Sequence, residues 1–175
     1  MGFNFDHMKL RLSFLMLSCF LIYSNSIQAQ DDKFKSAFLY QFGRIIEFPN
    51  QGSDFTIAIW GDSEITPLIE KIAEIKQIGD KKIVVKEISQ NDQLAGCQIV
   101  FIPTQYFPSL ETIKNLTINK GVLIVSEKDG SSKSGAGISF IKVNDKLLFE
   151  INKKNIEAGG LKSTLSLERI AHKVY

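Results

Sequence analysis

The stretch "DFTIAIWGDSEITPLIEKIAEIKQIGDKKIVVKEI", Asp54 to Ile88, decides the fold. Phe55 to Trp60 is an unbroken apolar run stopped by Gly61, the pattern of a strand covered on both faces. "EITPLIEKIAEIKQIG" places Leu68, Ile69, Ile72, Ala73 and Ile75 at helical spacing, with Gly79 in a usual helix-ending position. "KKIVVKEI" reads as a second strand. Strand, helix, strand in this order closes into a parallel pair.

The same alternation continues downstream. "QNDQLAGC" is a short connector with helical character, "QIVFIP" a third strand, "FPSLETIKNLTINK" a helix and "GVLIVSE" a fourth strand. The pattern then changes. "GISFIKVNDKLLFEIN" holds an antiparallel hairpin, Gly137 to Val143 and Lys146 to Ile151, turning at Asn144-Asp145. "NKKNIEAGG" reads as a short helix ended by Gly159 and Gly160. Leu161 then docks into the core, and Ser163 or Thr164 caps a last helix with Leu165, Ile170 and Val174 inward. Upstream, "DDKFKSAFLYQFGRIIEFPN" carries Phe34, Phe38, Phe42 and Ile45 at helical spacing, and Pro49 stops that helix near Glu47. Asp31 and Asp32 suit the positive end of the helix. The expected class is α/β: three layers, a mostly parallel sheet with a C-terminal antiparallel hairpin, and helices on both faces.

The first residues are of a different kind. From Met8 the chain has Lys9 and Arg11, an apolar run from Leu12 to Tyr23, and a small polar stretch ending at Ala29. That is the layout of a secretory signal peptide, and the apolar run is shorter than the roughly 20 residues a membrane span needs. Residues 1–29 are therefore read as a cleaved leader, and 30–175 as one exported domain without direct membrane insertion. Met16-Leu17-Ser18 is a poor lipobox, which argues against lipidation at Cys19. Only Cys97 remains after cleavage, so no internal disulfide forms; its place before an apolar strand reads as a buried thiol.

A net charge of +2 with scattered lysines shows no basic stripe, and nucleic acid is not an expected partner. Nor are catalytic tools visible. His172 is the one histidine after the leader, and it reads as a surface or helix-capping residue. Cys97 and His172 lack metal-ligand spacing, so no metal and no cofactor are expected. No Gly-x-Ser-x-Gly elbow supports a triad. Gly159-Gly160 before Lys162-Ser163 fails the phosphate-loop pattern, because Leu161 intervenes and a helix rather than a strand precedes it. Asp62 and Glu64 lie beyond the first strand, at the sheet edge where α/β proteins bind ligands. Trp60, Gly61 and Asp62 could line a pocket there; equally, Gly61 ends the strand and Asp62 or Ser63 caps the next helix. "EKDGSSKSGAG" reads as a mobile loop suited to a lid or a contact surface.

Three segments together carry a resemblance: "SAFLYQFGRIIEFP", "FTIAIWGDSEI" and "GAGISFIKVNDKLLFEINKKNIEAGGLKSTLSLERIAHKV". In order, they resemble the N-terminal helix, the first strand and turn, and the closing hairpin with its glycine-leucine turn in the YfiR-like family of exported bacterial proteins. The resemblance implies a periplasmic, non-enzymatic regulator. Its family binds the outer part of a membrane diguanylate cyclase and restrains it, lowering cyclic-di-GMP and biofilm formation; related domains occur beside sensor histidine kinases. It also implies self-association as a homodimer. Disulfide-linked redox control, known in the family, lacks its cysteines here. Tyr40 and Arg44 are the partner-binding candidates, since aromatic residues and arginine often anchor interfaces, although both also suit ordinary helix packing. The alternative is a small-ligand-binding module at Trp60, Gly61 and Asp62, linked to a sensor or transporter.

Overall fold

The computed structural model describes residues 28–49, 52–89 and 91–175. The expected leader up to residue 27, with Met8 and Cys19, lies outside the described residues. Helix α1 spans 28–45 and so runs through Ala29. It is followed by β1 (Asp54–Trp60), α2 (Thr66–Ile75), β2 (Gln77–Ile78), β3 (Lys81–Ile88), a 3-10 turn (Asn91–Leu94), β4 (Ile99–Ile102), a 3-10 segment (Thr104–Ser109) and α3 (Leu110–Thr117). Then come β5 (Leu123–Ser126), α4 (Ser131–Ser134), β6 (Ile138–Val143), β7 (Lys146–Ile151), α5 (Lys153–Ala158), α6 (Leu165–Ile170) and β8 (Lys173–Val174).

The strands form one sheet in the order β2-β3-β1-β4-β5-β6-β7-β8. From β3 to β6 all neighbours are parallel; β2 joins β3 and β7 joins β6 antiparallel. The strand order reverses between β1 and β4. Right-handed crossovers must therefore put α2 and α3 on opposite faces. The two cores agree. Ile57 and Ile59 of β1 pack with Ile65 and Ile69, with Leu39, Phe42 and Ile46 of α1, and with Leu167 of α6. Ala58 and Trp60 point the other way, onto Leu110 and Ile113 of α3. The three-layer α/β expectation holds, with the hairpin turning at Asn144 and Asp145 in the left-handed region.

Helix α1 lies close against the sheet. Phe38 and Phe42 stack against each other at 5.9 Å and meet Phe149 edge-on at 5.3 and 5.0 Å. Fully burying one such ring stabilises by roughly 1.5–3 kcal/mol. Gly43 permits the approach: a Cβ there would meet Ile78 Cδ1 at 2.5 Å. Phe34, one turn earlier, extends past the core and is exposed.

Several expectations are corrected. The α2 helix stops at Ile75, which is exposed; Gln77 pairs with Lys82, and Gly79 (φ 63°) turns the β2–β3 hairpin instead of ending a helix. Pairing with β3 satisfies backbone groups that a helix's last turn leaves open. Thr164 caps α6 by accepting from the Leu167 N–H at 3.3 Å. That fixes the helix phase: Leu167 is fully buried, while Leu165, Ile170 and Val174 are exposed rather than inward. At about 100° per residue, Leu165 sits on the opposite side from Leu167. Val174 is not helical but belongs to β8, which pairs with Ile151 of β7. His172 is exposed, as its surface reading expects, and lies in the crossing to β8, its backbone N–H donating to the Phe149 carbonyl at 2.8 Å. The "EKDGSSKSGAG" stretch is not a free loop. It contains α4, Ser131 and Ser132 are buried, and the Asn152 and Asn155 amides donate to the Ser132 carbonyl at 2.9 and 2.7 Å. Gly159 and Gly160 do form the expected turn after α5, and Leu161 is buried.

Candidate functional site

In an open α/β sheet, ligands favour the carboxyl edge where the strand order reverses. Here that point lies between β1 and β4, and it is where Trp60, Gly61 and Asp62 stand. Trp60 points into the α3-side core and is 7% exposed. Gly61 (φ 76°) lies under the Tyr106 ring, which a Cβ would strike. The Tyr106 hydroxyl donates to Asp62 Oδ1, and the Gln105 amide donates to the Asp62 carbonyl at 3.3 Å. The Tyr106 hydrogen bond holds the Asp62 carboxyl below its ordinary range and, from the other side, raises the Tyr106 phenol. So the 3-10 segment after β4 folds its own aromatic ring over the reversal point. Asp62 serves Tyr106 and not the helix cap; the Ser63 hydroxyl accepts from the Ile65 N–H at 3.5 Å, just ahead of α2, whose N-cap residue Ile65 makes no side-chain cap bond. Glu64 is exposed to solvent nearby.

Beside this cover lies a cleft of about 450 Å³ lined by Asp31, Lys35, Thr104, Glu127, Phe140, Lys142 and Leu147, among others. Its floor is an ion network. Lys35 is buried and reaches Asp32 at 2.8 Å and Glu127 at 2.5 Å. The second Glu127 oxygen accepts from the Thr104 N–H at 3.0 Å, at the start of the Tyr106 segment. Lys142 closes on Asp31 at 2.5 Å. Burial alone would lower the Lys35 pKa; the hydrogen bonds to Asp32 and Glu127 outweigh it, and the pKa stands raised. Burial alone would raise Glu127; Lys35 and Thr104 outweigh it and hold it low. One carboxylate thus ties α1, the end of β5 and the Tyr106 segment together. Asp31 and Asp32 serve these pairs more than the helix end.

The partner candidates sit apart from this cleft. On α1, the Arg44 guanidinium lies 5.6 Å from the Tyr40 ring centroid, and the Tyr40 hydroxyl reaches the Gln77 carbonyl at 3.5 Å. Arg44 is exposed and Tyr40 half-buried. Cys97 is buried, and burial pushes its thiol pKa up. Among the described residues no His/Cys/Asp/Glu group could hold a metal ion, and no helix is long and apolar enough to cross a membrane.

Sequence reading missed Lys35, Glu127 and Tyr106. A signal for the first existed: Lys35 falls on the same helical stripe as Leu39, Phe42 and Ile46, all buried, so a cation there must be paired. Tyr106 carried none, since only the fold brings it over Gly61.

The arrangement can now be set beside known proteins. The YfiR/HmsC-like family model matches residues 32–172, from α1 to the threshold of β8. The chain belongs to this family. The YfiR/HmsC-like domain therefore includes the Lys35 network, the covered reversal point and the α5–α6 turn. Among solved structures, an ABC domain from Streptococcus pneumonia in complex with L-Trp is similar at a TM-score of 0.49 and 12% identity, over 69% of this chain. The chain spans 55% of that one, about half its length. No curated protein matches the YfiR/HmsC-like chain.

Proposed function

We propose that the chain is a periplasmic, non-enzymatic regulator that binds the extracytoplasmic part of a membrane signalling protein and restrains it. The sensor is a diguanylate cyclase or a histidine kinase. Family membership across residues 32–172 carries this reading. Restraint works by population shift: the regulator must bind the sensor's inactive state more tightly than its active one. A near-complete switch needs about 10⁴-fold unequal affinity. The Tyr40–Arg44 face of α1 is the proposed contact, with an arginine already stacked on an aromatic ring. Deleting the gene should raise cyclic-di-GMP or kinase output. Wild-type protein should restore the low level, and Tyr40→Ala with Arg44→Ala should not. Unchanged output in the deletion strain refutes the reading.

The second reading is a small-ligand module, favoured by the 450 Å³ cleft with both charges and an apolar wall. Trp60, Gly61 and Asp62 do not line that cleft; a ligand edge of their own would need Tyr106 to move aside. A metabolite that raises the melting temperature of wild-type protein, and of Lys142→Ala much less, supports it.

A further inference from the structure

We propose that the C-terminal stretch from Lys162 to Val174 is a docking surface for an anionic lipid bilayer. Leu165, Ile170 and Val174 are 70%, 54% and 40% exposed there, an unusual concentration for residue types that folding normally takes out of water. Interleaved with them are Lys162, Arg169, His172 and Lys173, all exposed. The acidic residue of this stretch, Glu168, is already engaged, with Lys153 and the Ser163 hydroxyl each at 2.8 Å. Cations therefore outnumber carboxylates within the stretch, with Lys173 lying 4.8 Å over the Tyr175 ring.

The geometry orients these groups. Leu167 is fully buried and pins α6 to the core, so Leu165 and Arg169, one turn apart, share the outward side. Just beyond, β8 is held at the sheet edge by Glu150↔Lys173 and Ile151↔Val174 pairing, where Lys173 and Val174 are exposed. Cations beside protruding aliphatic side chains match a bilayer boundary, where anionic headgroups meet the charges and the acyl region accepts the aliphatic tips. A second copy of the chain fits less well. A two-fold contact would bring the same cations against themselves.

The test is co-sedimentation of protein 30–175 with phosphatidylglycerol/phosphatidylcholine vesicles and with phosphatidylcholine vesicles alone. The protein should sediment with the anionic vesicles and be released by high salt. Each Lys or Arg at such a surface contributes roughly a fivefold gain, so Arg169→Glu with Lys173→Glu should weaken binding by more than tenfold. Leu165→Ser with Ile170→Ser should also weaken it, with the charge unchanged. Both pairs are exposed, and unchanged melting curves establish that the variants fold. Absence of sedimentation with anionic vesicles, or binding indifferent to both pairs, overturns the proposal. It is equally overturned if these residues govern capture of a protein sensor while vesicles do not bind. None of these outcomes alters the cyclic-di-GMP test of the regulator reading.

Discussion

Replacing Lys35 with methionine probes the network that ties three elements together. The Lys35 side chain is 6% exposed, and its partners Asp32 and Glu127 are 10% and 23% exposed. Methionine keeps the stem's packing and removes the charge, leaving two carboxylates without their cation. Breaking a buried pair from one side costs about 3–5 kcal/mol. Glu127 keeps the Thr104 N–H and some contact with water, which favours the low end, about 3 kcal/mol. At about 2–4 °C per kcal/mol for a chain of this size, the melting temperature should fall by roughly 6–12 °C. Urea unfolding read by the single tryptophan, Trp60, measures the loss. The pH dependence has a definite sign. With Lys35 present, the Glu127 pKa is lowered, so its contribution exists above the unfolded carboxylate value of about 4.3 and vanishes as pH falls through the folded value. Lys35, with a raised pKa, contributes below the unfolded lysine value of about 10.4 and loses that contribution as pH rises through the folded one. In the variant, burial pushes Glu127 upward with Lys35 gone and Thr104 left to oppose it. Acidification then neutralises the orphan, and the deficit against wild type narrows toward pH 4. Glu127→Gln added to the variant should recover part of the loss at neutral pH. A deficit below about 1 kcal/mol at neutral pH, or one that does not narrow in acid, refutes the reasoning.

Gly61→Ala should destabilise by about 1–3 kcal/mol through strain at φ 76° and collision with Tyr106, and should shift Trp60 emission; in a Tyr106→Ala background the added cost should shrink, as double-cycle melts would show. Leu167→Ala should cost about 2–5 kcal/mol because the side chain is fully buried, whereas Leu165→Ala should stay within about 0.5 kcal/mol; denaturant curves for the two separate the inward residue from the outward one. Cys97 should resist a thiol reagent in the native state and react fully in guanidinium, since it is 1% exposed and burial raises its pKa; rapid native labelling would contradict the buried placement.

The sequence by itself determined the class and most of the order. Continuous apolar strands such as Phe55–Trp60 and Ile99–Ile102 are legible because a doubly covered strand needs no alternation. The hairpin at Asn144-Asp145 and the turn at Gly159-Gly160 are legible because they depend on backbone conformations that few residues tolerate. Tertiary structure decided what depends on partners far apart in the chain. Gln77 and Ile78 leave the helix because β3 offers a ladder, and Lys173 and Val174 become a strand because β7 does. Leu165 faces outward because Thr164 and the short α6 set a phase that periodicity over six residues cannot define. The Trp60–Gly61–Asp62 edge could be located from its strand end, but its cover by Tyr106 could not, because 44 residues separate Asp62 from that ring. Likewise Glu127 lies 92 residues from Lys35. Local propensity and spacing act over one or two turns, whereas buried charges and covering rings find their partners only after the sheet has brought distant strand ends together.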